Sequence, residues 1–114
     1  MPFAPETALF VYVTAKDKAE ALAIGRTLVE ERLVACVNIV DNLHSLYWWQ
    51  GRVQESAEAA FIAKTRGDLA RAVTERVKAL HSYEVPCVVF LPLVDGNPDF
   101  LDWIAAETRT PKEP

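Results

Sequence analysis

The chain has 114 residues, 51% apolar and 25% charged, with 12 basic against 16 acidic side chains. That length fits one domain, and the apolar fraction with eleven aromatics excludes a disordered chain. A formal charge of -4 argues against nucleic acid or an anionic membrane as the main partner. Two cysteines without C-x-x-C spacing form neither a disulfide framework nor a redox pair, and they point to a reducing cytoplasm. Met1 to Thr7 lacks the positive n-region of a signal peptide. The most apolar run, Val85 to Val94, is broken by Pro86 and Pro92 and falls far short of the ~20 residues that span a bilayer.

Ala8 to Thr14 is short, β-branched and aromatic, and reads as a strand buried on both faces. Asp17 with Glu20 three residues on gives a capping-box signal for a helix, with Ala21, Ile24, Gly25 and Leu28 as its apolar face. Charged Glu30, Glu31 and Arg32 close it. Val34 to Val40 reads as a second strand that Asp41-Asn42 interrupts, and Ser45 to Trp49 resumes the extended pattern. Gln50-Gly51 is a two-residue hairpin turn. Arg52 to Thr65 returns as a third strand, with Val53, Ala57, Ala59, Phe61 and Ala63 on one alternation. Helix competes over Ser56 to Ala63, where alanine and glutamate favour it; the turn, which needs a partner strand, tips the choice.

Gly67-Asp68 breaks and caps, and Leu69, Val73, Val77 and Leu80 form a helical stripe that ends at His81. After a loop, Cys87 to Leu91 reads as a fourth buried strand. Asn97 then caps a short helix with Pro98 at its first position and Phe100, Leu101 and Ile104 inward. Thr108 to Pro114 reads as a frayed tail. The order is βαββαβ plus a C-terminal helix, an α+β ferredoxin-like sandwich. Each hairpin arm could hold ~12–14 residues against a usual ~5–6, so its tip projects beyond the other strands. Leu46 and Trp48 alternate there with Tyr47 and Trp49, leaving both faces apolar. Partner subunits are expected to cover them.

Arg32 to Ile39, Ser45 to Gly51, Glu58 with Lys64-Thr65, His81 to Pro86 and Phe100 to Trp103 together closely resemble the CutA family of divalent-cation tolerance proteins. The resemblance spans about Leu9 to Ala106. It implies a single CutA-like domain over residues 1–114, with an ordered core of about 8–107 and short flexible termini. It further implies a ferredoxin-like protomer with a long hairpin, assembled as a homotrimer with ligand clefts between subunits, in architectural kinship with the PII signalling proteins. A role in copper-type metal tolerance follows from it, without enzymatic activity. Three departures stand out. Ser82 and Cys87 replace a Pro and a Glu of the family's loop, and Asp41-Asn42 replaces a Pro-Gly turn.

The cleft and interface candidates are Asn38, Tyr47, Trp48, Trp49, Glu58, Lys64, His81, Tyr83 and Glu84, with His81 and Cys87 as metal candidates. No cofactor is obligatory. A lost carboxylate and a gained thiol at Cys87 favour a soft or borderline ion such as Cu or Zn over a hard one, if that thiol faces the cleft. Each candidate has a plainer role to set beside this. Cys87 and Cys36 suit a core as small hydrophobes. A protonated His81 suits the carbonyl end of its helix, and His44 suits solvent. Glu58 and Lys64 share a strand face but lie ~20 Å apart, so each needs its own partner. The aromatic trio supplies interface area or, less simply, stacks on a ring ligand. Tyr83 and Glu84 line a cleft or lock subunits together.

Two rival functions remain. One is a PII-like sensor that binds an anionic metabolite at Lys64 and Arg66. The other is a small enzyme using His81 or Tyr83 as acid or base. No G-x-S-x-G, H-E-x-x-H or Gly-rich phosphate loop is present.

Overall fold

The computed structural model describes residues 3–109. Its elements are β1 (Ala8–Ala15), α1 (Lys18–Glu30), β2 (Cys36–Trp49), β3 (Arg52–Arg66), a 3-10 turn (Gly67–Leu69), α2 (Ala70–Leu80), β4 (Val88–Pro92) and α3 (Pro98–Glu107). The strands form one antiparallel sheet in the order β2-β3-β1-β4, the ferredoxin-like arrangement that the element order predicts.

The sheet has a covered and an open face. Leu9, Val11, Val13 and Ala15 of β1 and Ala59, Phe61 and Ala63 of β3 are buried, with Ile24 and Leu28 of α1 and Val73 and Val77 of α2. The expectation that β1 is buried on both faces is corrected. Phe10, Tyr12 and Thr14 are half-buried, because within the chain the core lies against one side of the sheet only. Ala59 to Ala63 lies in an unbroken strand, so cross-strand pairing overrides the local helix propensity of its alanines.

Helix ends follow local chemistry. Asp17 accepts from the Glu20 N–H (2.9 Å), and Glu20 reaches back to the Lys16 N–H (3.0 Å). At the other end of α1, Arg32 adopts φ 58°, its N–H bonds to the Val29 carbonyl, and the Leu33 N–H bonds to the Leu28 carbonyl. That is a Schellman motif with arginine where glycine is usual, and the buried pair Leu28 and Leu33 accompanies it. Leu33 and Val34 therefore belong to a buried loop, and β2 starts two residues later than expected.

Asp68 does not cap α2. It lies 3.5 Å from the Arg66 Nε, and the helix starts without a side-chain cap. Cys87 precedes β4 rather than opening it. In α3 Asn97 caps as expected, accepting from the Asp99 N–H, and Ile104 is buried. Phe100 instead stacks on Trp103 (centroids 5.5 Å apart), both partly exposed, since the ten-residue helix buries only a narrow stripe around Ile104.

Residues flanking the core are tied down. Gly67 and Asp68 donate backbone bonds to Thr7 and Pro5, and a Cβ at Gly67 would stand 2.2 Å from the Ala4 carbonyl oxygen. Thr108 is buried and the Arg109 N–H donates to the Arg32 carbonyl (2.9 Å), so the expected tail does not begin at Thr108. Its remaining part, residues 110–114, and Met1 and Pro2 lie outside the described residues.

Candidate functional site

The hairpin turn places Gln50 at φ 52° and Gly51 at φ 76°, the pair of positive φ values that a type I′ turn needs. Above the sheet's other strands, β2 does not stop at Asp41-Asn42. Val40 pairs with Ala60 and Leu43 with Glu58, so three steps along β2 match two along β3. This is a β-bulge, with Asn42 at φ 61° and its N–H bonded to the Asp41 side chain (2.8 Å). Asn tolerates that left-handed backbone better than most residues.

The bulge changes which face alternate residues take. Val37 and Ile39, packed against the core, and Tyr47 and Trp49 all have odd numbers. Continuous alternation would put all four on one side. With one extra residue between them, Tyr47 and Trp49 fall on the face of their β3 partners Gln54 and Arg52, which is also the face of Glu58. Replacing Asn42 with valine is expected to cost about 1–2 kcal/mol, the left-handed penalty for a bulky residue, whereas glycine should be neutral. A urea midpoint equally low for both variants would contradict this reading of the bulge.

On this open face, Tyr47, Trp49, Glu58 and Thr14 line a cleft of about 420 Å³, closed on its far side by Ser82, Tyr83, Glu84, Val85 and Cys87. The loop that carries the last five is held from below. The His81 ring is entirely buried. Its Nδ1 accepts from the Tyr83 N–H (3.0 Å), so its Nε2 carries the hydrogen and donates to the Thr14 carbonyl (2.7 Å). Glu20, besides capping α1, accepts from the Ser82 N–H (2.8 Å). Burial opposes its ionisation, but the bonds from Lys16 and Ser82 outweigh that and hold its carboxyl below the usual range.

Tyr83 then reaches across the cleft and donates to Glu58 (2.6 Å). Burial, the bond to Glu58 and that carboxylate's charge all raise the phenol's pKa well above 10. The folded phenol thus holds its proton more tightly than the unfolded one. This bond contributes fully below about pH 10, the unfolded tyrosine value, and loses its contribution as pH rises beyond it. Ultraviolet titration is expected to show one tyrosine still protonated when free tyrosine has ionised, and Glu58→Gln to bring it down. An unchanged titration curve in that variant would contradict the pairing.

The structure gathers six of the expected site residues here: Tyr47, Trp49, Glu58, Tyr83, Glu84 and Cys87. Cys87 lines the cleft rather than the core, because β4 begins one residue after it. Cys36 is likewise half-buried and not in the core, lying beside a second groove between α1 and β2. Asn38 and Lys64 bond to each other (2.8 Å) outside the cleft lining. Glu58 and Lys64 thus have separate partners, as their spacing requires. Trp48 pairs with Val53 on the opposite face of the ribbon. His44 is exposed and pairs with Glu55. His81 supports the loop, with both ring nitrogens engaged. Thr14, Ser82, Val85 and the brace Glu20 were not anticipated as site residues. The capping box marked Glu20 as a helix residue, and nothing local tied it to Ser82.

The family model described as CutA1 divalent ion tolerance protein matches residues 9–107. The chain belongs to the CutA family. A divalent-cation tolerance protein CutA of Thermus thermophilus is 47% identical over 98 residues, covering 86% of this chain and 95% of that protein. A chloroplastic CutA 1 of rice is 46% identical over 101 residues, covering 89% of this chain but only 57% of the relative's length. The solved Thermus thermophilus structure superposes with TM-score 0.87 at 45% identity, covering 90% of this chain and 99% of that one. A structure from Archaeoglobus fulgidus, titled periplasmic divalent cation tolerance protein CutA, gives TM-score 0.85 at 41% identity, with 88% and 97% covered.

The CutA chain accordingly has a role in divalent-metal tolerance, and its family is one of tolerance proteins rather than of enzymes. The expected cytoplasmic location is corrected. Relatives this similar are named for the chloroplast and the periplasm, so thiol count does not fix the compartment. The PII-like reading finds no support. Lys64 is bonded to Asn38, Arg66 faces Asp68 and the Arg109 carbonyl, and neither lines the cleft.

Proposed function

We propose that this CutA chain serves metal tolerance as a non-enzymatic homotrimer that receives a metal ion or small ligand at clefts completed between copies. The observation that supports assembly is the hairpin tip. Leu46, Trp48 and Val53 are 66%, 74% and 58% exposed on one face, while Tyr47 and Trp49 stand open on the other. A ribbon apolar on both sides is stable in water only when something covers it, and closed rings of identical copies do so without leaving an edge.

A resident metal does not fit the donors of one chain. Among the described residues no three His, Cys, Asp or Glu side chains cluster closely enough to hold an ion. His81 has no free lone pair, since Nδ1 accepts from Tyr83 and Nε2 donates to Thr14. Glu58, Glu84 and Cys87 are the donors that remain around the cleft, and a second copy must supply the rest. Their mixture of carboxylate and thiol suits Cu or Zn.

Titration of the assembled protein with Cu(II) and Zn(II) tests this. Saturable uptake in fixed ratio to chains is expected, weakened about tenfold or more by Glu84→Gln combined with Cys87→Ser. Uptake that never saturates, or that the double variant leaves unchanged, would sink direct metal binding at the cleft.

A further inference from the structure

We propose that the cleft takes a small organic ammonium ion, its charge against Glu58 and Glu84 and its alkyl groups against the rings of Tyr47, Trp49 and Tyr83. This deepens the reading of the cleft as the ligand site and rests on it.

Three observations carry the choice of ligand. The first is charge. The nine lining residues include two carboxylates and no lysine, arginine or histidine, so the cleft repels anions and attracts cations. The second is its walls. Three of the nine are tyrosine or tryptophan, whose ring faces carry the negative part of the quadrupole and attract ammonium groups. The Tyr83 hydroxyl is committed to one Glu58 oxygen, Oε2, which fixes that ring across the cleft and leaves the other oxygen of the carboxylate to meet a ligand. The Tyr47 hydroxyl lies 3.2 Å from the Ser56 Oγ, which anchors the second ring.

The third observation is size. A volume of about 420 Å³ lies within the range of small-molecule sites, ~300–1,000 Å³, and a bare ion would leave most of it to water. Nor does one chain gather the donors that such an ion would need to replace its hydration shell. An ammonium ion with an alkyl shell needs no ordered ligand set. It needs an apolar wall and one or two carboxylates nearby, which the geometry supplies.

The test uses the assembled full-length chain and two probes of nearly the same shape, tert-butylammonium and neutral tert-butanol, followed by calorimetry and tryptophan fluorescence. Binding of the ammonium but not the alcohol is expected. Trp49→Leu and Glu58→Gln should each weaken it about five- to thirty-fold, the range of a desolvated cation–π or charge contact. Circular dichroism and native mass confirm that each variant folds and assembles, and Trp49→Phe, which keeps a ring, should retain most of the affinity.

Equal binding of both probes, or ammonium binding that neither variant weakens, would overturn the proposal. So would a protein that binds Cu(II) or Zn(II) saturably at the cleft but no ammonium, an outcome that leaves the metal reading standing. A protein that binds neither class of cation loses both readings.

Discussion

A chain carrying Leu46→Glu and Trp48→Glu is expected to run as a single 12.7 kDa species where the wild type runs as an assembly. Both side chains lie on the ribbon face opposite the cleft, where Trp48 pairs with Val53 and Leu46 with Glu55. They touch no part of the buried core, so the protomer should keep its fold. What changes is the interface. Buried aromatic anchors at such contacts are worth ~2 kcal/mol or more each, and a glutamate there adds an unpaired buried charge. Three copies multiply the effect. Far-ultraviolet circular dichroism should be nearly unchanged while the sedimentation coefficient falls. If the variant stays assembled at the wild-type concentration, the tip is not what holds the copies together.

The second large effect is inside the protomer. Phe61→Ala is expected to cost about 3–5 kcal/mol, and Phe61→Leu no more than about 1.5. Phe61 is fully buried between Val13 on one neighbouring strand and Ile39 on the other. Along the core face of β3 it is the one large side chain between Ala59 and Ala63. Those small neighbours let α1 sit close to the sheet. A Cβ on Gly25 would already stand 2.9 Å from Val37, so the helix has little room to settle into a void left by the ring. A loss under 1 kcal/mol, judged against the same cavity scale, would mean that the core relaxes freely around this position.

Much of the architecture was legible because local chemistry and long-range packing agree. Asp17 and Glu20 announce a helix start that the structure uses, Gln50-Gly51 a turn with both residues at positive φ, and the stripe Leu69, Val73, Val77 and Leu80 a helix face of which the first three are buried and Leu80, in the last turn, is exposed. The hairpin's unusual length was countable. The family resemblance, carried by residues that now prove to lie on the α1–β2 loop, β2, β3, the 81–86 loop and α3, extended the same picture.

Other features depend on contacts that no window of sequence contains. A break in period-two alternation at Asp41-Asn42 looks the same whether the strand stops or bulges; only pairing with β3 distinguishes them, and the bulge decides where Tyr47 and Trp49 point. His81 reads as a helix-terminal residue, yet its ring bonds to Thr14, 67 positions earlier in the chain. Cys87 reads as the first core residue of a strand and instead lines the cleft, a matter of one residue in where β4 begins. Burial of β1 on both faces would need a cover on the open side of the sheet. Among the described residues that cover is incomplete, and Phe10, Tyr12 and Thr14 stay half-buried.

That open side and the bare hairpin tip point to assembly, which the native mass of the protein reads out. Three chains of 12.7 kDa give about 38 kDa, a closed ring of the kind that identical subunits favour. That mass is expected, persisting on dilution into the nanomolar range. A wild-type protein that stays folded as a 12.7 kDa monomer would contradict it, because Leu46, Trp48 and Val53 would then face water unaided.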